Sequence, residues 1–106
     1  MDKYVTEHGK QRINQRINNQ TNRDPDDLAK IALEEGVPIE KLRGGLYRWA
    51  DKRRYKYDDT LVRLFRNHLY IFSYSKPRRL ITVIPVPKKF KNISNRIERK
   101  RKRNLL

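Results

Sequence analysis

The sequence predicts an α+β protein in which two to three N-terminal helices pack on a small antiparallel β-meander, followed by a basic C-terminal tail. β-Branched and aromatic residues, which favour strands, concentrate between Thr60 and Pro87. Apolar residues before this stretch recur at helical spacing instead. Residues 88–106 carry nine basic residues against one acid. We therefore expect one domain over residues 1–87 and a tail over residues 88–106 that is disordered or ordered by a partner.

The first predicted helix lies within residues 4–19, where Val5, Ile13 and Ile17 share one stripe. Such a thin stripe does not stabilise an isolated helix, so the segment must dock on a larger apolar surface. The sheet is the only large apolar surface that the sequence provides.

The second predicted helix starts at Asp24-Pro25, a cap followed by a proline in the first helical position, and ends at Gly36. Its predicted buried stripe is Leu28, Ile31 and Ala32. Val37-Pro38 opens a third segment, in which Gly44-Gly45 indicates either two short helices or one helix with a close contact. The apolar positions of that segment are Ile39, Leu42, Leu46 and Trp49.

The sheet is predicted from three extended runs separated by polar turns at residues 66–68 and 75–79. Alternation along the third run places Leu80, Thr82 and Ile84 on one face. These runs predict a sheet of three strands or slightly more.

The formal charge of +15 over 106 residues, with a pI of about 10.5, indicates a polyanionic partner. Residues 1–87 alone still carry +7. We expect RNA or a ribonucleoprotein, and an acidic protein such as an antitoxin as a further partner; an anionic membrane surface is the remaining alternative.

The sequence contains no cysteine, which excludes disulfides, thiolate metal sites and a cysteine nucleophile. It has no zinc-ligand spacing or phosphate-cradling glycine loop, so no metal and no cofactor is expected. No apolar run approaches the roughly 20 residues of a spanning helix, and no signal-peptide core is evident. We therefore expect a cytoplasmic protein without a membrane partner.

His8, Arg12 and Arg16 recur at a spacing of four residues and share one face of the first predicted helix. RNA cleavage by a ribose 2′-hydroxyl needs a proton acceptor, a proton donor and cations for the developing phosphoryl charge. Histidine serves the first two near neutral pH, and arginine binds phosphate bidentately. The alternative is a solvated basic face that contacts phosphates without chemistry.

Thr82 is the one hydroxyl within an otherwise apolar strand, so it is either a β-forming residue or a contact to phosphate or the 2′-hydroxyl. His68 falls in a predicted turn and is interpreted as a polar loop residue. Tyr70, Phe72 and Tyr74 alternate on one strand. These rings either form a stacking surface for single-stranded RNA or pack under a helix.

Helices followed by a meander and the strand Leu80-Ile81-Thr82-Val83-Ile84-Pro85 resemble the small ribonucleases of the barnase, colicin and RelE-like superfamily. The segment His8-Gly9-Lys10-Gln11-Arg12-Ile13-Asn14-Gln15-Arg16 and the strand Ile81-Thr82-Val83 also resemble short basic proteins of phages and prophages. The resemblance implies His8 as acid/base, Arg12 and Arg16 as phosphate clamps, and Thr82 as a hydroxyl contact beside the scissile phosphate. The sheet lacks the glutamate that serves the barnase branch as a second acid/base.

The function expected is RNA binding with metal-independent endoribonuclease activity of toxin type. The alternatives are a non-catalytic binder, such as a phage inhibitor of a host nuclease or a ribosome-associated factor, and a structural ribosomal protein. The expected nucleic-acid contacts are Arg63, Tyr70, Phe72, Arg78, Arg79, Lys88, Lys89, Lys91, Arg99, Lys100, Arg101, Lys102 and Arg103.

Overall fold

The computed structural model describes residues 6–16, 24–55 and 59–105, with the backbone alone for Arg16 and residues 101–105. The α-helices are α1 (Glu7–Arg16), α2 (Pro25–Glu35), α3 (Gly44–Arg54) and α4 (Lys91–Leu105). The strands are β1 (Val37–Pro38), β2 (Thr60–Phe65), β3 (His68–Ser73) and β4 (Leu80–Pro85). Short 3-10 helices cover Ile39–Lys41 and Lys88–Phe90.

The four strands form one antiparallel sheet in the order β1-β2-β3-β4, which confirms the predicted α+β class. β2, β3 and β4 are the predicted meander. The two-residue β1 adds an edge strand, with Val37 opposite Leu64 and Pro38 opposite Arg63. The sequence pattern assigned these two residues to the start of a helical segment. Because proline cannot donate a ladder hydrogen bond, an edge position suits Pro38.

Helices cover both faces of the sheet, because both faces of β3 are apolar and buried. Tyr70 and Phe72 pack in a cluster with residues of α1 and α2. Leu69 and Ile71, which alternate with those rings, pack in a second cluster with α3. The architecture is therefore three layers, with the sheet in the middle.

The start of α1 is attached to the start of β4. The Thr6 backbone N–H and hydroxyl both donate to the Leu80 carbonyl at 2.9 Å, while Gly9 N–H donates to the Thr6 hydroxyl at 3.0 Å. Ile13 of this helix is fully buried, as predicted. Val5 and Ile17, the other predicted members of its stripe, lie outside the described residues.

α2 begins at Pro25 and ends before Gly36, as predicted. Gly36 N–H donates to the Ala32 carbonyl at 2.9 Å. A Cβ at Gly36 would lie 2.4 Å from the Ala32 carbonyl oxygen and 2.8 Å from Arg63 Cβ. Glycine is therefore required by the close approach of α2 to β2. Ile31 is only half-buried, and Ala29 is the buried residue of that part of the helix.

The third helical segment divides into two, the first of the two arrangements predicted for it. The 3-10 helix ends at Lys41, and α3 begins at Gly44, which has a φ of +58°. A positive φ favours glycine because it has no Cβ.

An irregularity in the pairing of β3 with β4 changes the faces predicted for β4. Leu80 is opposite Phe72, whereas Thr82 is opposite Ile71. Leu80 therefore belongs to the α1–α2 side and Thr82 to the α3–α4 side. The prediction that Leu80, Thr82 and Ile84 share one face is therefore wrong for Leu80. Ile81 has no partner on β3, and this extra residue inverts the alternation of side chains.

The C-terminal segment differs from the disordered or partner-ordered tail expected from its charge. It forms α4, whose Ser94 is fully buried and whose Ile97 packs against the second cluster. Phe90, just before α4, packs against the same cluster. Although these apolar groups are few, the open face of the sheet gives them a surface to cover.

Candidate nucleic-acid interface

Basic side chains are concentrated in one of the two helical layers. α3 and residues 88–100 carry ten basic residues and two acidic ones, whereas α1 and α2 carry four basic and five acidic ones. We call the first set the basic layer; its basic residues are Arg48, Lys52, Arg53, Arg54, Lys88, Lys89, Lys91, Arg96, Arg99 and Lys100. The +15 charge is therefore distributed unevenly, and one side of the sheet is strongly cationic.

Two parts of the basic layer contact each other at the start of α3. A Cβ at Gly45 would lie 2.9 Å from Cε1 of the Phe90 ring. Phe90 also packs against the second apolar cluster, which contains Leu46. This contact positions α3 and the segment leading into α4 on the same face of the sheet.

Glu98 attaches α4 to the turn between β2 and β3. Its carboxylate accepts hydrogen bonds from the backbone N–H groups of Arg66 and of Asn67, the latter at 3.1 Å. Arg66 and Asn67 both have positive φ, 48° and 62°, which gives a two-residue hairpin turn of the I′ kind. Successive N–H groups in such a turn form a concavity that binds an anion. Here the chain's own carboxylate occupies it.

The basic residues predicted in the tail lie mainly on the solvent side of this docked segment. Lys88, Lys89, Lys91, Arg99 and Lys100 are exposed. The Lys89 ammonium lies 5.2 Å from the centre of the Phe90 ring. Arg101, Lys102 and Arg103 continue the helix, and their side chains lie outside the described part of the structure. The exposed members are available to a polyanion.

Tyr70 and Phe72 are core residues, with relative exposures of 1% and 0%. Their rings stack on each other with centroids 6.4 Å apart, underneath α1 and α2. The RNA-stacking surface expected from the sequence is therefore wrong for these two rings, and packing under a helix is the correct alternative. Burial raises the pKa of the Tyr70 phenol; the nearby Arg66 charge opposes this rise and Glu98 adds to it.

Arg63 contacts protein rather than projecting freely into solvent. Its Nε donates to the carbonyl of Leu33 at 3.3 Å, and a terminal nitrogen donates to the Val62 carbonyl at 3.3 Å. Because Leu33 lies in the last turn of α2, this guanidinium stabilises the helix C-terminus. We assign Arg63 a structural role in this packing, and its contact with nucleic acid stays a prediction.

Arg78 and Arg79 lie in the loop between β3 and β4. Arg78 Nε donates to the Tyr74 carbonyl at 3.2 Å, and its guanidinium lies 5.5 Å from the centre of the Tyr74 ring, which is 56% exposed. The side chain of Arg79 is exposed. This loop and the Glu98-bound turn lie at opposite ends of β3, about 20 Å apart for a strand of six residues.

His8 and Arg12 are adjacent on the surface of α1, as their spacing predicts. Arg12 Nε donates to His8 Nε2 at 3.2 Å, and a terminal Arg12 nitrogen donates to Gln15 Oε1 at 2.9 Å. In this contact the guanidinium is the hydrogen-bond donor and the imidazole is the acceptor. Arg16 continues the helix, and its side chain lies outside the described residues.

Thr82 does not join His8 and Arg12. It is 3% exposed, and its side chain belongs to the α3–α4 side of the sheet, whereas α1 covers the other side. The expected contact between Thr82 and a scissile phosphate does not fit this placement. His68, predicted in a turn, instead begins β3, with its Nδ1 2.9 Å from the Arg66 carbonyl.

A further surface feature is an open groove of about 530 Å³ along α2. Its lining residues are Asp24, Asp27, Lys30, Ile31 and Glu34. Within the described ranges, no three His, Asp or Glu side chains are close enough to hold a metal ion. The acidic groove makes the α1–α2 side unfavourable for a polyanion.

Sequence reasoning did not include five members of the basic layer, of which Arg53 and Arg54 are half-buried and three are exposed. Arg48 and Lys52 are exposed on α3, and Arg96 is exposed on α4. The helical spacing of Ser94, Ile97 and Glu98 is a sequence signal for a docked helix with Arg96 opposite. The contribution of α3 has no comparable signal, because its proximity to α4 depends on which face of the sheet each helix covers.

Comparison with protein-family models, with curated proteins and with solved structures finds no match. Among the helices of the described ranges, none combines the length and the apolar character required to cross a membrane.

Proposed function

We propose that this protein binds nucleic acid through the basic layer and acts by binding rather than by catalysis. The observation that supports this most directly is the division of charge between the two helical layers, with ten basic and two acidic residues on one side and four and five on the other. Lysine and arginine on one face release condensed counterions when they contact phosphates, which drives association.

The positions of the predicted catalytic residues favour binding over chemistry. Thr82 is buried on the side of the sheet opposite α1, so it does not supplement His8 and Arg12. Eight of the ten basic residues of the basic layer, in contrast, are exposed, and the layer is held in place by Phe90 and Glu98. RNA and DNA both satisfy its charge.

The proposal is tested by neutralising equal charge on the two sides. Arg99→Gln with Lys100→Gln removes two exposed charges from the basic layer, and Lys10→Gln with Lys30→Gln removes two exposed charges from α1 and α2. Fluorescence anisotropy with labelled RNA and DNA oligonucleotides, repeated over a salt series, gives affinity and salt slope. We expect the first variant to bind more weakly, with a salt slope lower by about 1–2.

The matched control on α1 and α2 should retain wild-type affinity and slope. Equal losses in the two variants would show that net charge, and no particular face, governs binding. Absence of binding to RNA and to DNA at low salt would contradict the proposed function itself.

The second candidate is a metal-independent endoribonuclease of toxin type, which the His8–Arg12 contact favours. Thr6 anchors the start of α1 at Leu80, next to Arg79, so the histidine lies on the helix that meets the 74–79 loop. An imidazole with an adjacent guanidinium group suits proton transfer beside a phosphate. In this candidate an acidic antitoxin would compete with RNA for the basic surface.

Incubation with total RNA in EDTA, followed by end-group analysis, tests the second candidate. If His8 catalyses cleavage, wild type and His68→Ala should produce RNA fragments with 2′,3′-cyclic phosphate ends, and His8→Ala should leave the RNA intact. His68 is the matched control because it is the other histidine of the chain. Intact RNA with wild type, or equal cleavage by all three proteins, would contradict catalysis by His8.

A further inference from the structure

The exposed face of α4 carries amide and guanidinium groups in one continuous stripe. Asn92, Asn95, Arg96, Arg99 and Lys100 are all exposed. At 3.6 residues per turn they lie within one face of the helix. Ser94, Ile97 and Glu98, which contact the protein, lie on the opposite face. The stripe is therefore directed away from the body of the protein.

We propose that α4 is a recognition helix that lies in the major groove of duplex DNA, an inference that rests on the proposed nucleic-acid-binding function. The helix has 15 residues, which corresponds to about 22 Å. The major groove of B-form DNA is wide enough to admit an α-helix. The deep and narrow major groove of A-form RNA is not accessible to one. Geometry thus selects duplex DNA over duplex RNA.

The residue types of the stripe match the chemistry of base edges. Arginine donates two hydrogen bonds to the O6 and N7 acceptors of guanine, and asparagine pairs with the N6 and N7 positions of adenine. Arg96 and Arg99 supply the first kind of contact, and Asn92 and Asn95 the second. Ile93, 40% exposed, adds an apolar group of the kind that contacts thymine methyls.

The surroundings of the stripe supply phosphate contacts without base reading. Lys88, Lys89 and Lys91 precede it and are exposed, and Arg48 and Lys52 of α3 belong to the same layer. Phosphate contacts fix the position of a protein on the duplex, while contacts to base edges determine the sequence preference. The arrangement provides both kinds.

The main alternative way of reading a nucleic acid, the stacking of bases on exposed aromatic rings, has no counterpart on α4. Sequence-specific binding of single-stranded RNA uses exposed rings on which bases stack. Tyr70 and Phe72 are buried under α1 and α2, and Tyr74 is exposed on the distant β3–β4 loop. Tyr55, which is 75% exposed, follows the end of α3 and does not belong to α4. α4 itself contains no aromatic residue, so the stripe carries no ring on which a base could stack.

Anisotropy with duplex DNA in which the cytosines are 5-hydroxymethylated and glucosylated tests the inference. The glucose fills the major groove and leaves the phosphates unchanged. We expect wild type to bind this duplex about tenfold or more weakly than the unmodified one. Netropsin, which fills the minor groove, should leave binding unchanged.

The uncharged double variant Asn92→Ala with Asn95→Ala separates base reading from phosphate attraction. Selection from a pool of randomised duplexes should enrich a sequence with wild type and not with this variant, whose salt slope should equal that of wild type. Far-UV circular dichroism checks that the variant is folded.

Four outcomes distinguish this inference from the proposed function. Equal binding of glucosylated and plain duplexes, equal enrichment with both proteins, or tighter binding of RNA than of duplex DNA would overturn the recognition helix and leave nucleic-acid binding intact. Failure to bind any of the probes at low salt would overturn both.

Discussion

Glu98 accepts a hydrogen bond from the backbone N–H of Asn67 at 3.1 Å, across 31 positions of the chain. The same carboxylate accepts the N–H of Arg66. The single acid of residues 88–106 is thus used to attach a basic helix to the tip of a hairpin. This contact positions α4 on the sheet and stabilises a turn with a non-glycine residue in the left-handed region at both central positions.

Glu98→Ala is expected to lower the free energy of unfolding by about 1–2 kcal/mol, because two backbone donors lose a charged acceptor that is partly exposed to solvent. Denaturant unfolding gives this difference, and amide hydrogen exchange should show faster exchange at Arg66, Asn67 and along α4. Glu40→Ala is the control, because it removes one negative charge from an exposed position and leaves the contact of Glu98 with the turn intact. Equal stability of the two variants would contradict the role assigned to Glu98.

Gly36→Ala is expected to destabilise the protein by about 1–3 kcal/mol, because the new methyl group overlaps backbone and forces α2 away from β2. At Gly44 an added Cβ would have no neighbour within 4 Å, so Gly44→Ala is opposed only by the positive φ of this position. Its expected cost is about 1–2 kcal/mol. Substitution by asparagine, which tolerates a positive φ, distinguishes the two sites. Gly44→Asn should be more stable than Gly44→Ala, whereas Gly36→Asn should not be more stable than Gly36→Ala.

Gly45→Ala places a methyl group against the Phe90 ring and is expected to destabilise the contact between α3 and the segment before α4. Phe90→Leu should relieve the overlap, so the double variant should be more stable than the sum of the two single effects predicts. Thermal unfolding of wild type, both single variants and the double variant measures the coupling. Strict additivity would show that the two residues do not compete for space.

Tyr70 is expected to make stability dependent on alkaline pH. Burial raises its pKa in the folded protein above the unfolded value of about 10, so the folded chain retains a proton that the unfolded chain loses. The free energy of unfolding should therefore decrease as the pH rises above about 10. Tyr70→Phe removes this contribution. Between pH 9 and pH 11 the free energy of unfolding of this variant, measured with denaturant, should decrease less than that of wild type.

Local signals predicted the three N-terminal helical segments and the meander, whereas α4 lies where a disordered or partner-ordered tail was expected. Asp24-Pro25 and Gly36 bound α2 in the structure, and β-branched runs form β2, β3 and β4. These features depend on dihedral preferences and side-chain alternation, which act over a few residues. The edge strand β1 was missed because two residues are too short to show alternation.

The candidate site was predicted less completely than the fold. The spacing of His8 and Arg12 correctly predicts their contact, because positions four apart on a helix are neighbours. The same reasoning does not show that Thr82 belongs to the opposite side of the sheet, since the irregularity between β3 and β4 inverts the alternation.

The amino-acid sequence by itself determined the boundaries of α2, the strand-forming region and the concentration of positive charge in residues 88–106, because each follows from residue type and short-range spacing. Only the tertiary structure decided that helices cover both faces of the sheet, that Tyr70 and Phe72 are core residues, and that α4 docks through Glu98. These features depend on which surface is left for each amphipathic segment to cover, and that is a property of the assembled layers rather than of any segment alone.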